Sequence, residues 1–282
     1  MNFSVVLPAK NEAASVASVV EAVIRQVPHS EVIVVDDGSS DDTGSLAKSA
    51  GAIVIKHPYS KGNGASIKSG ARAAVGDIII FMDADGQHDP KDISSLLAAI
   101  DEGYDLVVGA RQSGSQASVG RGLANGLYNK LATYMTGHKV EDLTSGFRAV
   151  RAEKFKEFLY LLPNGFSYPT TSTMAFFRAG YSVKYVPIHA AQREGKSHIK
   201  PLKDGMRFLL IIFKVATLYS PLKLFTPAAA LFFLLGLGWY GYTFTVMSRF
   251  TNMSALLFTS GSILFMMGLI SEQITALMYK ER

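Results

Sequence analysis

The sequence predicts an α/β domain followed by a membrane anchor. Short apolar segments alternate with helical patterns in the first part of the chain, which is typical of a mostly parallel sheet with helices on both faces. Two long uncharged apolar runs near the C-terminus are each long enough to cross a membrane. We therefore expect an α/β domain over residues 1–199, a juxtamembrane amphipathic helix over 200–222 and a two-helix transmembrane anchor over 223–282.

The composition limits the classes of protein that fit. The chain has 282 residues, of which 48% are hydrophobic, and its formal net charge is +5. The positive charges cluster beside the apolar tail and form no patch interleaved with aromatic residues, which argues against nucleic-acid binding. The chain contains no cysteine, so it forms no disulfide and no zinc–thiolate site. The N-terminus lacks the basic segment and the long apolar run of a signal peptide, so we expect the first domain to stay in the cytosol.

The individual elements follow from apolar runs and the residues that interrupt them. Phe3–Leu7 is a predicted strand that Pro8 stops, and a helix opens at Asn11 and runs to about Val27. Gly114–Gly126 is rich in glycine and serine, which predicts a mobile loop. The other predicted elements are the strands Glu31–Val35, Ala52–Ile55, Asp77–Met82 and Asp105–Val108, and the helices Ser40–Ala50, Gly62–Val75 and one capped by Asp89-Pro90.

Carboxylates follow two of these strands. Asp36 and Asp37 come after the second strand, and Asp83 and Asp85 come after the fourth. In doubly wound sheets, ligands bind in the crevice beyond the carboxyl ends of the strands. A carboxylate after the second strand can accept hydrogen bonds from a nucleobase or from ribose hydroxyls, although a turn that caps the next helix would use the same residues.

Asp83-Ala84-Asp85 has the pattern of a site for a divalent metal. Side chains alternate along an extended segment, so we expect both carboxylates on one side, joined by the carbonyl oxygen of Gln87. Hard oxygen ligands are what Mg²⁺ or Mn²⁺ requires while it bridges phosphates. An Asp-x-Asp pair also arises by chance in loops, but its position after the apolar run Ile78–Phe81 favours the metal site.

Other polar segments have more than one interpretation. Lys61-Gly62-Asn63-Gly64 lacks the Walker spacing, so we interpret it as the start of a helix and not as a phosphate loop. Arg111 follows a predicted strand, where it either balances the charge of a diphosphate or forms a surface salt bridge. Asp142 either orients an acceptor and assists its deprotonation, or caps a helix.

The C-terminal region contains two candidate membrane spans. Leu224–Met247 has no charged residue in 24 positions and Phe250–Ser271 has none in 22, with Ser248–Met253 as a tight connector. Two buried core helices are the alternative. Only Arg249 lies between the runs, and the other basic residues flank them, so we expect both ends in the cytoplasm. The flanking residues are Lys200, Lys203, Arg207, Lys214, Lys223, Lys280 and Arg282.

The segment before the first span predicts a helix on the membrane surface. Its basic residues fall within about 60° of one another on a helical projection, and apolar side chains fill much of the remainder. These residues are Lys200, Lys203, Arg207 and Lys214. An amphipathic helix packed on the domain is the alternative. Glu272 is costly if it lies deep in the second span, so it faces either the partner helix or a neighbouring subunit.

Taken in order, the motifs of the first domain resemble those of family-2 glycosyltransferases. The motifs are Pro8–Glu12, Val35–Thr43, Lys61–Gly64, Asp83–Gln87 and Ser145–Arg148. They are most similar to the branch of dolichyl-phosphate mannose synthases and bacterial polyprenyl-phosphate glycosyltransferases, over about residues 2–200. The resemblance implies a GT-A nucleotide-sugar fold and Mg²⁺ or Mn²⁺. It also implies transfer from a UDP- or GDP-sugar to a polyprenyl phosphate at the cell membrane, with inversion at the anomeric carbon.

The resemblance also implies roles for individual residues. The nucleoside would be held by Pro8, Ala9, Glu12, Val35 and Asp37, and the donor would also contact Ala84. Asp83, Asp85 and Gln87 would hold the metal and diphosphate, with Asp85 catalytic, and Arg111 would hold the diphosphate or sugar. We further expect a basic path for the acceptor phosphate along Lys203, Arg207, Arg193, Lys196 and Arg148, with Asp142 as the second catalytic residue.

Two departures from the family pattern concern recognition. Many relatives carry an aromatic residue where this chain has Lys10, and many carry Arg-x-x-Gly-x-Ser-Lys where this chain has Gln192–His198 with displaced basic residues. A processive polysaccharide synthase is an alternative function, but it needs a Gln-x-x-Arg-Trp segment, and the single tryptophan is Trp239 in the first span. A catalytically silent membrane scaffold is another alternative, and the intact Asp83 and Asp85 argue against it. The sequence leaves the sugar and a possible homo-oligomer open.

Overall fold

The computed structural model describes residues 2–111, 119–165, 167–188, 213 and 217–278, and the side chains of 119–125 are outside that description. The chain divides into two compact units, Met1–Ile199 and Lys200–Arg282. The first unit is an α/β domain, and the second contains a pair of long helices.

The first unit is built on a seven-stranded mixed sheet. Its strands are β1 (Phe3–Ala9), β2 (Glu31–Asp36), β3 (Ile53–Lys56), β4 (Ile78–Phe81), β5 (Leu106–Arg111), β6 (Arg148–Arg151) and β7 (Val183–Ile188). The strand order is β3-β2-β1-β4-β6-β5-β7. Strand β6 is antiparallel to β4 and β5, and the other neighbours are parallel. The predicted mostly parallel α/β sheet is therefore confirmed.

Helices connect the strands and cover both faces of the sheet. They are α1 (Val16–Gln26), α2 (Thr43–Ser49), α3 (Asn63–Ala73), α4 (Ile93–Asp101), α5 (Val119–Thr136), α6 (Ala152–Glu157) and α7 (Tyr168–Arg178), with a short 3₁₀ turn at Pro90–Asp92. On one face, Val5 and Ile80 pack in a buried cluster with Val20 of α1 and Leu96 of α4. On the other face, α3 approaches β1 so closely that a Cβ atom at Gly70 would lie 2.2 Å from a Val6 methyl group.

Several predicted boundaries differ from the structure for physical reasons. Pro8 does not stop β1, which continues to Ala9. The pairing of β1 with β4 ends at Val6, so the missing N–H of Pro8 costs no hydrogen bond to β4. Helix α1 begins at Val16 and not at Asn11, which adopts a positive φ of 56°. Helix α3 begins at Asn63, which confirms the interpretation of Lys61–Gly64 as a helix start.

The middle of the domain was the least predictable from sequence. The predicted mobile loop Gly114–Gly126 is wrong in its second half, because α5 begins at Val119. Strand β6 was not predicted, and it begins at Arg148, the last residue of the motif Ser145–Arg148. Arg148 is fully buried although it is charged, which contradicts the usual apolar pattern of a buried strand, and this is why the strand was missed.

The second unit contains α8 (Pro221–Met247) and α9 (Asn252–Met278), which pack against each other. Both helices are long and apolar enough to cross a membrane, and only 17% of each apolar stretch is buried within the structure. Close packing relies on glycine: a Cβ atom at Gly236 would lie 3.1 Å from the Phe258 ring, and one at Gly268 would lie 2.8 Å from the Cβ of Phe225.

Glu272 lies where α9 meets the first turn of α8. Its carboxylate accepts a hydrogen bond from the backbone N–H of Leu222 at 3.4 Å. A carboxylate at a helix N-terminus is favourable, because the first N–H groups have no partner within the helix. Of the two alternatives, the structure therefore shows Glu272 facing the partner helix. The predicted juxtamembrane helix falls largely outside the described residues.

Candidate active site

The crevice of the first unit is formed by the carboxyl ends of β1, β2 and β4. The chain after β1 is tied to both neighbours by hydrogen bonds. The backbone N–H of Glu12 donates to the hydroxyl of Thr43 at 2.8 Å, and the hydroxyl of Ser15 donates to the carbonyl of Ala84 at 2.8 Å. Pro8 and Ala9 lie at the end of β1 beside Val35 and Asp36 of β2. The residues predicted to surround the nucleoside are therefore brought together.

Asp37 is buried and engaged by the protein itself. Its carboxylate oxygens accept hydrogen bonds from Nδ1 of His57 at 2.7 Å, the hydroxyl of Ser60 at 2.7 Å, and the backbone N–H groups of Lys61 at 2.8 Å and Gly62 at 2.9 Å. Burial opposes ionisation, but these hydrogen bonds prevail and lower the pKa of Asp37 to about 2. Asp37 thus holds the segment between β3 and α3, a role that the sequence did not reveal.

The predicted metal ligands lie in a turn that directly follows β4. Ala84 is buried while Asp83 and Asp85 on either side of it are partly exposed, and 38% of the Asp83 side chain is accessible. The chain turns from Ala84 onward instead of staying extended, and the Asp85 carboxylate accepts the backbone N–H of Gln87 at 3.1 Å. The alternation expected of a strand therefore ends here, but both carboxylates remain partly exposed.

Asp83 is confined by His88 of its own segment and by Gly146 of another. Nε2 of His88 lies 3.6 Å from an Asp83 oxygen, and the His88 ring packs on Phe147 with centroids 5.1 Å apart. A Cβ atom at Gly146 would lie 3.2 Å from the same Asp83 oxygen. The hydroxyl of Tyr168 donates to the Gly146 carbonyl at 3.0 Å, which fixes that glycine in place. His88 was missed in the sequence, although it stands three residues after Asp85.

Arg111 and Asp142, predicted separately, form one ion pair. Nε of Arg111 donates to Oδ2 of Asp142 at 2.8 Å, and Nη2 donates to Oδ1 at 3.0 Å and to the Thr144 hydroxyl at 2.7 Å. Burial alone would raise the pKa of Asp142, but the Arg111 hydrogen bonds and charge lower it below its usual value. A salt bridge was one of the two predicted alternatives for Arg111, but the sequence did not identify Asp142 as the partner.

Arg148 does not occupy the place predicted for it. Its side chain is fully buried, and its guanidinium donates to the Pro169 carbonyl at 3.0 Å, to the Ser172 hydroxyl at 2.8 Å and to the Ser145 carbonyl. A phosphate cannot reach a guanidinium that is enclosed in this way. Arg148 therefore joins β6 to the start of α7, and the predicted contact with the acceptor phosphate is wrong for this side chain.

The first turn of α3 is occupied by the protein chain. The N–H of Gly64 donates to the carbonyl of Gly165 at 3.1 Å, and the N–H of Ala65 donates to the carbonyl of Asn164 at 2.9 Å. These contacts leave no room for a phosphate, because a Cβ atom at Gly62 would lie 2.5 Å from the Asn164 carbonyl. The predicted acceptor residues Arg193, Lys196, Lys203 and Arg207 lie outside the described residues.

Comparison with known proteins defines the class. Residues 4–159 match the family described as Glycosyl transferase family 2, and residues 220–277 match the GtrB C-terminal hairpin. The first match covers more than half of the chain. The protein therefore belongs to glycosyltransferase family 2 and is a glycosyltransferase, as the motifs predicted.

Curated relatives cover both units. Glycosyltransferase AglJ of Haloferax volcanii is 28% identical over 97% of this chain and 93% of its own length. Polyprenol monophosphomannose synthase of Mycolicibacterium smegmatis is 31% identical over 75% of this chain and 84% of its own length. The predicted resemblance to the polyprenyl-phosphate branch of the family is thereby confirmed.

Solved structures confirm the GT-A type of fold. Glucosyl-3-phosphoglycerate synthase from Mycobacterium tuberculosis, in complex with phosphoglyceric acid, superposes with a TM-score of 0.61 at 25% identity, over 76% of this chain and 78% of that chain. A structure of the same enzyme with Mn²⁺, UDP and glucosyl-3-phosphoglycerate has a TM-score of 0.58 at 26% identity, with the same coverage of both chains. Divalent metal and UDP therefore bind to a relative of the same fold.

Proposed function

We propose that this chain transfers a sugar from a UDP- or GDP-sugar to a polyprenyl phosphate at the cytoplasmic face of the membrane, with Mg²⁺ or Mn²⁺ and with inversion at the anomeric carbon. The observation that carries the proposal is the pair of partly exposed carboxylates, Asp83 and Asp85, after β4 of a chain that also contains two apolar helices. Relatives named for polyprenol or undecaprenyl-phosphate substrates support the choice of acceptor.

The residues present suit a divalent cation that is shared with a diphosphate. Asp83 and Asp85 provide hard oxygen ligands, and within the described residues no group of three or more His, Cys, Asp or Glu side chains converges on a metal position. Mg²⁺ is commonly bound through one or two carboxylates, with substrate phosphates and water completing its shell. The bound cation would act as a Lewis acid for the departing nucleoside diphosphate. Gln87 stands close enough in sequence to add an amide oxygen.

The protein's own groups would align the donor and stabilise the charge that develops on it. Arg111 ends β5 with a guanidinium held by Asp142, and 28% of its side chain is exposed. The hydrogen bond to Asp142 raises the pKa of Arg111, burial opposes this rise, and the charges of Asp142 and Asp83 add to it. A fixed guanidinium within electrostatic reach of Asp83 suits a diphosphate that also meets the metal.

The chemical step would be a single displacement. An oxygen of the polyprenyl phosphate forms a bond to the anomeric carbon while the bond from that carbon to the diphosphate breaks, and the electron pair leaves with the nucleoside diphosphate. A phosphate monoester is already an anion near neutral pH, so it attacks without strong help from a general base. The main tasks of the site are then alignment and stabilisation of the leaving group.

The two alternative functions fit less well. A processive synthase needs room for a growing chain between its membrane helices, but α8 and α9 pack closely through Gly236 and Gly268. A silent scaffold would have no reason to keep Asp83 partly exposed within electrostatic reach of Arg111.

The test is a survey of donors. Membranes that contain the protein are incubated with a panel of radiolabelled nucleotide sugars and with undecaprenyl or dolichyl phosphate, and the lipid is then extracted. We expect label in the lipid phase for one donor, and no label when excess chelator is present. Label that accumulates in a polymer would favour the processive synthase, and no transfer from any donor would favour the scaffold.

A further inference from the structure

The Asp142 carboxylate has no oxygen directed to an incoming acceptor. It accepts five hydrogen bonds, from Nε, Nη2 and the backbone N–H of Arg111 and from the N–H and hydroxyl of Thr144, at 2.8–3.3 Å. Only 8% of its side chain is exposed. A general base must present a free lone pair to the proton that it removes. The interactions of Asp142 are instead saturated by two residues of its own chain.

The same geometry leaves Arg111 as the group that faces a ligand. Its hydrogen bonds to described side chains involve Nε and Nη2, so Nη1 remains available, and 28% of the side chain is exposed against 8% for Asp142. Thr144 links the two residues, because its hydroxyl accepts a hydrogen bond from Arg111 at 2.7 Å and donates one to Asp142 at 3.1 Å. The planar guanidinium is therefore fixed along one edge and open along the other.

We propose that Asp142 is a positioning residue that acts through Arg111: together with Thr144 it fixes the guanidinium that binds the diphosphate of the donor, and it does not activate the acceptor. This inference rests on the proposed function, since it assumes a nucleoside diphosphate as ligand. It differs from the role that the sequence suggested for Asp142, which concerned the acceptor.

The two roles predict different effects on nucleotide binding when no acceptor is present. A base for the acceptor contributes nothing to the affinity for a nucleoside diphosphate. A residue that positions Arg111 does contribute to this affinity, because it fixes the guanidinium in the orientation that binds the diphosphate. Removal of Asp142 or of Arg111 should then disable the same contact. The double substitution should therefore raise the Kd for the nucleotide no more than Arg111→Gln alone.

The experiment measures binding of UDP and of GDP, each with Mn²⁺, to the full chain in detergent micelles by isothermal titration calorimetry. For the nucleotide that binds the wild type, we expect Asp142→Asn and Arg111→Gln each to raise Kd about tenfold. We expect the Kd of the double variant to match that of Arg111→Gln. Thr144→Val removes only the hydroxyl that links Arg111 and Asp142, and we expect it to raise Kd about threefold.

Asp105→Asn is the matched control. Asp105 immediately precedes β5 at the end opposite Arg111, its side chain is 11% exposed, and it pairs with Lys154 at 2.7 Å. This variant removes the same charge from a similar ion pair, and we expect its Kd to equal that of the wild type. Thr144→Val keeps the charges of Arg111 and Asp142, so it can replace Asp142→Asn in the test if Asp142→Asn does not fold.

The inference is overturned if Asp142→Asn, or Thr144→Val should the former not fold, leaves Kd within twofold of the wild type. It is also overturned if the effects of Asp142→Asn and Arg111→Gln multiply in the double variant. A wild type that binds neither nucleotide contradicts the proposed function itself, and the inference falls with it.

Discussion

At the scale of single residues, carboxylates that look alike in the sequence are used in different ways. Asp37 and Asp142 are buried and saturated with hydrogen bonds from their own chain, whereas Asp83 and Asp85 are partly exposed. A buried carboxylate whose lone pairs are engaged organises the protein around it, and a partly exposed carboxylate can bind a cation. The difference in burial separates residues that stabilise the crevice from residues that are proposed to bind its ligand.

Replacement of Asp37 by Asn should destabilise the fold. Asn loses the charge and has one acceptor oxygen for the hydrogen bonds that Asp37 accepts, so we expect the free energy of unfolding at pH 7 to fall by about 2 kcal/mol. The pKa of Asp37 is lowered from 3.8 to about 2, so its stabilising effect is present above pH 4 and is lost as the pH falls toward 2. Chemical denaturation at several pH values measures both effects.

The control for this substitution is Asp101→Asn, at an exposed position at the end of α4. We expect it to leave the stability within about 0.5 kcal/mol of the wild type. Equal stability of Asp37→Asn and the wild type at pH 7 would show that the hydrogen bonds to His57, Ser60 and the backbone do not stabilise the segment after β3.

At the scale of elements, the ends of strands supply the site and the packing of helices supplies the anchor. Strands β1, β2, β4 and β5 each end in a segment that contributes to the candidate site. Helices α8 and α9 expose most of their large apolar side chains and contact each other through glycines. In a lipid environment close packing of this kind drives the association of helices, because burial of apolar surface from lipid gains little.

Gly268→Ala should weaken the pairing of α8 and α9. The added Cβ would lie 2.8 Å from the Cβ of Phe225, so the helices must separate slightly, at a cost of about 1–3 kcal/mol. Gly238→Ala is the control, because no atom lies within 4 Å of the added Cβ. Thermal unfolding in detergent micelles, followed by circular dichroism, should show a lower transition temperature for Gly268→Ala only. Equal transition temperatures for both variants would contradict the packing described.

The predicted basic face before the first span should affect use of the lipid and not of the nucleotide. The acceptor arrives from the bilayer surface, and the sequence places Lys203 and Arg207 on one helical face. We expect Lys203→Glu or Arg207→Glu to raise the apparent KM for polyprenyl phosphate severalfold while the Kd for UDP or GDP stays constant. Weaker nucleotide binding with normal use of the lipid would refute this path for the acceptor.

At the scale of the whole molecule, one chain combines a nucleotide-sugar fold with two apolar helices. A soluble donor and a membrane-bound acceptor must meet at the membrane surface, so an anchored catalytic domain suits the reaction. The proposed orientation places this domain and both termini in the cytoplasm, with the short connector between α8 and α9 outside. The basic residues that flank the apolar runs support this orientation.

Single engineered cysteines test the orientation, because the chain has none of its own. We expect a membrane-impermeant maleimide to label Phe250→Cys in intact cells. Asn2→Cys should react only after the membrane has been permeabilised. Labelling of Asn2→Cys in intact cells would place the N-terminus outside and contradict the proposed orientation.

The sequence predicted the elements whose patterns are local and missed those that depend on distant contacts. The apolar strands before Asp36 and Asp83 were recognisable from their composition, and so were the uncharged spans. Strand β6 was not recognisable, because its buried Arg148 is compensated by groups of α7 that lie more than twenty residues further along the chain. The pairing of Arg111 with Asp142 joins positions 31 residues apart, which no local pattern encodes.

The measurement that tests the central claim most directly is the formation of a labelled glycolipid by the purified protein. Wild type and Asp85→Asn are compared with the radiolabelled donor that the survey identifies, polyprenyl phosphate and Mn²⁺, each with and without excess chelator. For the wild type we predict metal-dependent label in the extracted lipid. For Asp85→Asn we predict a transfer rate that is lower by a factor of at least about 100, with a circular dichroism spectrum that shows the variant to be folded. Undiminished transfer by the wild type in excess chelator, or by Asp85→Asn, would contradict the account.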